Sequence, residues 1–295
     1  MKIFFLIPFL IPFLLVPAEM AMAAESPLGL EVFPKVNRQG DVFLVRASGP
    51  ASFGAVHGEF QGKRFPLASG ANKGTYEGLV GMDLDSKPGR YELKVLAAGV
   101  DGTGYSRVLS LKMEKTDFAV QKLTLPRSMV DLDPKTLERV NRESKRLRGL
   151  FQGSREERFW KGPFIRPVEG EISGTFGNRR IINGQRKNPH SGVDLRANEG
   201  NPVGACNGGV VALVDEFFFS GKSVILDHGG GLYSMYFHLS ETLVIEGDRV
   251  STGALLGRVG STGRSTGPHL HWGMIIHGAR VDPLSFLRLT EHLRD

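Results

Sequence analysis

Five side chains of metal-ligating or acid–base type stand at spacings that could bring them together: His190, Asp194, His238, His269 and His271. His269-Leu270-His271 is an i, i+2 pair. On a helix two residues turn through about 200° and the imidazoles point apart, whereas on a strand they share a face. Gly267-Pro268 before the pair and Trp272, Met274, Ile275 and Ile276 after it favour a strand. Two imidazoles side by side on a sheet can hold one cation, or set one base beside one ligand. His190-x-x-x-Asp194 is again an even spacing. Pro189 and Gly192 argue against a helix there, and extended chain puts both side chains on one side. Two imidazoles and one carboxylate suit Zn²⁺ and leave a position open for water, whose pKa the metal lowers toward ~7. Spacing alone does not choose which of His269 and His271 is the ligand.

Each pair by itself is weak, because a lone histidine in a β protein is ordinarily structural. Their joint occurrence, with His238 in Met235-Tyr236-Phe237-His238-Leu239-Ser240, is far more specific. Competing chemistries lack support. The sequence has no cysteine cluster, no P-loop and no dinucleotide fingerprint. The single Cys206 precludes an intramolecular disulfide and reads as a small buried hydrophobe rather than a nucleophile.

The elements that must carry these residues read as mainly β. Glycine is abundant at 38 of 295 residues, without a collagen period and beside many Val, Phe and Thr, which points to a turn-rich β protein. Residues 27–115 read as short strands split by turns. Tyr91, Leu93 and Val95 alternate with Glu92 and Lys94, and Tyr105 to Met113 alternates similarly. The expectation is a β-sandwich, immunoglobulin-like, acting as an accessory module. Residues 116–165 read as a linker with a helix. Asp133-Pro134 supplies an N-cap and a first-turn proline, and Leu137, Val140, Leu147 and Leu150 make one apolar stripe on a charged helix. Residues 166–285 return to a glycine-rich β texture, followed by a short tail, 286–295, with a helix starting after Pro283.

Composition bounds the partners. At 41% hydrophobic and 23% charged the chain can build cores, and its length suits two domains. A formal net charge of +6 fits attraction to an anionic polymer, but scattered basic residues and no recognition motif argue against nucleic acid. Residues 1–23 read as a signal peptide: Lys2, the apolar run Ile3 to Val16, then Ala21-Met22-Ala23. The run is shorter than the ~20 residues a membrane span needs. The expectation is therefore an exported protein, membrane-bound only if the segment stays uncleaved.

The motifs resemble those of peptidase family M23, the lysostaphin-like or LytM-type zinc endopeptidases that cut peptidoglycan peptides. His190-Ser191-Gly192-Val193-Asp194, Tyr236-Phe237-His238-Leu239-Ser240 and Gly267-Pro268-His269-Leu270-His271 carry the resemblance. Weaker matches are Gly174-Thr175-Phe176-Gly177-x-Arg179, Pro202-Val203 to Val211, and Gly257-x-Val259-Gly260-Ser261-Thr262-Gly263. The resemblance implies an antiparallel β core with an open groove and one Zn²⁺ per chain. It makes His190, Asp194 and His271 the metal ligands, and His238 and His269 the unligated catalytic pair. It implies a zinc metalloendopeptidase acting on stem or cross-link peptides in the periplasm or cell envelope, with a Gram-negative setting favoured. Residues 27–115 would position or occlude the groove. The rival expectation is a non-enzymatic wall-binding protein that activates another hydrolase, as in relatives that have lost ligands. Every motif position is filled here.

Overall fold

The computed structural model describes residues 28–49, 53–99, 102–153, 155 and 157–291. The expected signal segment lies outside the described residues. The chain is mainly β, and it buries its apolar residues in one cluster drawn from residues 28–113 and two drawn largely from the C-terminal half.

Residues 28–114 form two sheets over one core. One orders Gly29–Phe33, Val42–Ser48, Thr75–Gly81 and Ala68–Ser69; the other orders Asn37–Arg38, Gly104–Glu114, Gly89–Gly99, Phe53–Phe60 and Lys63–Pro66. Alternation along Gly89–Gly99 buries Leu93, Val95 and Ala97 and exposes Glu92 and Lys94, the half-buried period the sequence shows. Phe43 of one sheet meets Phe60 of the other edge-on at 5.4 Å.

The C-terminal half is a ten-stranded antiparallel sheet. Its central path runs Glu171–Gly174, Val193–Arg196, His269–Ile276, Leu232–Thr242, Gly221–Gly229, Gly209–Phe217 and Arg249–Val250. His269–Ile276 sits between Val193–Arg196 and Leu232–Thr242. Leu270, Trp272 and Met274 enter the core on one face, which leaves the other face to His269 and His271. The tail forms the helix Pro283–Thr290, whose cap Asp282 accepts the Leu284 N–H and whose Phe286 is fully buried.

The segment read as a linker does more than connect. Val120–Leu123 adds as a parallel strand to Arg179–Ile182, with Gln121 opposite Arg180, and Asn183 binds both the N–H and the carbonyl of Leu125. This partner lies some sixty residues away, so no local pattern marks it. The helix Pro134–Leu150 follows, capped by Asp133 accepting from the Lys135 and Thr136 N–H groups. Only the C-terminal half of its stripe is covered. Leu147, Leu150 and Phe151 pack on Leu213, Phe217, Ile225 and Tyr233, while Leu137 stays exposed. Arg146 fixes the helix further through Asp215 and Glu246.

The sandwich docks on the turn after His269–Ile276. Arg280 bonds Asp83 at 2.6 Å and Asp85 at 2.8 Å, Lys63 donates to the His277 carbonyl, and His277 Nε2 donates to the Leu79 carbonyl. Among the described residues no helix is long and apolar enough to cross a membrane.

Candidate metal centre and cleft

Strand register assembles the centre. Asp194 lies directly opposite His271, and His190 approaches on the extended stretch ahead of Val193–Arg196. His190 Nε2, Asp194 Oδ1 and His271 Nδ1 form a triangle with sides of 2.8, 2.9 and 2.9 Å, and all three residues are buried. A side chain on Gly192, between the first two, would collide with the His271 ring and the Trp272 carbonyl, so the close approach of the two segments requires glycine.

The donor set fits a metal ion on its own chemistry. A carbonyl only accepts, so the 2.9 Å contact of His190 Nδ1 to the Thr175 carbonyl places a proton on Nδ1, and in the neutral ring that leaves Nε2 bare. That bare nitrogen faces a carboxylate oxygen 2.8 Å away. Two lone pairs at this distance require positive charge between or beside them, and one His271 proton cannot serve both. The edges also allow one ion to sit about 2.0–2.2 Å from all three atoms. Burial pushes the Asp194 carboxyl up, but the contacts with the His190 and His271 imidazoles outweigh it and hold it well below the usual carboxylate range. Arg180 Nη2 donates to Asp194 Oδ2 at 2.9 Å, fixing the carboxylate and leaving Oδ1 toward the imidazoles. Burial pushes His271 down to about 4, so the ring is neutral and able to ligate.

His238 and His269 flank the triangle outside it. Their ring centroids lie 4.8 Å apart, and His269 Nε2 is 3.7 Å from Asp194 Oδ1. Each offers Nδ1–H to a carbonyl, His238 to Thr262 and His269 to Gly267, both at 2.8 Å. Their Nε2 atoms therefore carry free lone pairs. Burial, with the neighbouring His271 and His269, pushes His238 down to about 3.

His238 reaches this place through a bulge. Lys222 pairs with Leu239 and Val224 with Tyr236, so Phe237 and His238 together face the single Ser223. His238 takes φ +65°, in the left-handed region that non-glycine residues rarely occupy. Two consecutive side chains thereby turn toward the site: Phe237 stacks on His271 with the rings 6° from parallel, and His238 meets His269.

The group opens on a cleft of about 570 Å³ whose lining includes Gln121, Arg180, Asp194, His238, Arg264 and His269. Among the described residues none of the sandwich lines it; the strand Val120–Leu123 supplies a wall instead. The structure thus brings all five sequence-derived candidates together. Arg180 carries no sequence signal, because it stands beside Arg179 with no spacing signature, while Phe237, Thr175, Thr262 and Gly267 stand in the motifs without the sequence marking the contacts they make.

A model of peptidase family M23 matches residues 188–283. The crystal structure of a putative M23 peptidase from Pseudomonas aeruginosa aligns over 85% of this chain and 95% of its own, at 30% identity and a TM-score of 0.66. This chain belongs to peptidase family M23. Curated relatives include the peptidoglycan DD-endopeptidase ShyA of Vibrio cholerae, 38% identical over 121 residues, 40% of this chain and 28% of that one. The DD-carboxypeptidase/endopeptidase Mpg of Neisseria meningitidis is 41% identical over 137 residues, 45% of this chain and 31% of that one. The chain therefore spans under a third of the length of these curated relatives. Arg180 and Thr175, which support the centre from outside it, precede the part of the chain that the M23 model matches.

Proposed function

We propose that the chain is an exported zinc-dependent endopeptidase that hydrolyses an amide bond in the stem or cross-link peptides of peptidoglycan. The observation that carries this reading is the buried His190–Asp194–His271 triangle with two unligated imidazoles beside it, all at one open cleft. The names of the relatives supply the substrate class.

His190, Asp194 and His271 would hold the ion. When bound, zinc supplies Lewis-acid polarisation of the scissile carbonyl and acidifies a water. Thr175 fixes the tautomer of His190, and Arg180 fixes the rotamer of Asp194. His238 and His269, held as bases by the Thr262 and Gly267 carbonyls, accept the proton of the attacking water at Nε2. Once protonated, the same atom donates to the developing oxyanion and passes the proton to the leaving amine. Either ring has the tautomer for each step.

The sandwich, in this reading, positions the peptidase core rather than forming part of its groove. Its strand order supports an immunoglobulin-like assignment, and its regulatory role would run through the docking contacts at Arg280 and His277. The complete ligand set favours an enzyme over a catalytically silent wall-binding protein.

The test is mass analysis of muropeptides from purified sacculi incubated with the zinc-loaded chain. Cross-linked dimers should fall and monomers rise, with a chelator stopping the change. Unchanged muropeptides with the metal in place would instead favour the wall-binding reading.

A further inference from the structure

The cleft carries positive charge, only part of which the steps above use. Arg180, Arg196 and Arg264 line it, against Asp194 and Glu199. Asp194 is committed to Arg180 and the imidazoles, and Glu199 is exposed. Arg264 is the distinctive member. Its guanidinium lies over the Phe219 ring at 4.0 Å, and its backbone N–H donates to the Phe219 carbonyl at 2.8 Å, so both root and head are fixed. Burial and the like charge of Arg180 push it down to about 10, with no carboxylate offsetting them. A half-buried guanidinium held beside a second one is costly until an anion enters.

Its place in the chain is informative. Arg264 stands between Thr262, whose carbonyl holds His238, and Gly267, whose carbonyl holds His269. The loop that orients both bases therefore also presents a planar fork to whatever lies over them. That fork matches a carboxylate with two parallel hydrogen bonds.

We propose that Arg264 is a specificity residue that binds a free carboxylate of the substrate peptide within a residue or two of the amide being cut, with Arg180 adding to the attracting potential. The assignment rests on the endopeptidase reading and narrows it: the preferred substrate is an anionic peptide, and amidation of that carboxyl group weakens it.

The experiment compares two cross-linked peptide dimers that differ only in whether the carboxyl group α to the leaving amine is free or amidated. The wild-type zinc-loaded chain should cleave the free acid about 10- to 100-fold faster in kcat/KM. Arg264→Gln should bring that ratio to within about twofold, chiefly by losing rate on the acid, and Arg264→Lys should fall between. A purely structural role would lower both substrates by one factor and leave the ratio intact, which overturns the assignment. Equal wild-type rates on both dimers overturn it too, while leaving the endopeptidase reading standing. Cleavage of neither dimer overturns both.

Discussion

Asp194 and His271 face each other across adjacent antiparallel strands, and their side chains meet at 2.9 Å. Two of the three proposed ligands are thus set by sheet register rather than by a flexible loop. A one-residue slip of either strand would turn one of them into the core. The site is as rigid as the hydrogen-bonded ladder beneath it, and Trp272 and Leu270, buried on the opposite face, lock that ladder in place.

Removing a ligand should therefore remove the metal without unfolding the sheet. Asp194→Ala and His271→Ala are each expected to bring zinc from one per chain to near zero by elemental analysis after dialysis, and to abolish wall hydrolysis. Stoichiometric zinc retained in either variant would contradict the ligand assignment.

The unligated pair should behave differently. His238→Asn keeps a residue that tolerates positive φ, and His269→Ala leaves the strand intact; both should hold one zinc per chain. Their kcat should fall about 10²- to 10⁴-fold, the usual contribution of a general acid–base. Unchanged kcat in both would remove them from the proton steps.

Arg180 is expected to tune the centre from outside. Arg180→Gln loses the charged partner of Asp194 Oδ2 and should weaken zinc affinity about 10- to 100-fold in competition with a chelator. Affinity equal to wild type would show that the carboxylate needs no such support.

How much of this was legible in the sequence depends on how local each signal is. The His269/His271 strand was readable because a period of two and its Gly-Pro flank lie within a few residues. The helix start at Asp133-Pro134 was readable for the same reason, and the cap forms as expected. The choice of His271 over His269 as ligand came only from the family resemblance, because it depends on Asp194 lying opposite, a partner 77 residues away. The strand at Val120–Leu123 was missed because its alternation is too short to stand out without Arg179–Ile182 beside it. The bulge at His238 was invisible because nothing in Tyr236-Phe237-His238 marks a positive φ.

A fourth expectation concerns acid stability. His228 is fully buried, with Nδ1–H donating to the Gly208 carbonyl and Nε2 2.7 Å from Ser234 Oγ, and burial pushes it down to about 4. The unfolded chain takes up this proton near pH 6.5 and the folded chain only near 4. More protons are then bound in the unfolded state across that window, so stability is full above 6.5 and falls as pH drops toward 4. Between pH 7.5 and pH 5 the loss from this group is about 2 kcal/mol. His228→Gln should be less stable than wild type at pH 7.5 in urea unfolding, with the gap narrowing by that amount at pH 5. Parallel pH profiles for the two proteins would show that His228 does not carry the effect.

The central claim is that one divalent cation is held by His190, Asp194 and His271. Anomalous diffraction at the zinc edge from crystals of the zinc-loaded chain tests it most directly. The account predicts a single strong peak about 2.0–2.2 Å from His190 Nε2, Asp194 Oδ1 and His271 Nδ1, with His238 and His269 outside bonding distance. A peak ligated by His269 in place of His271, or none between the three side chains, would contradict it.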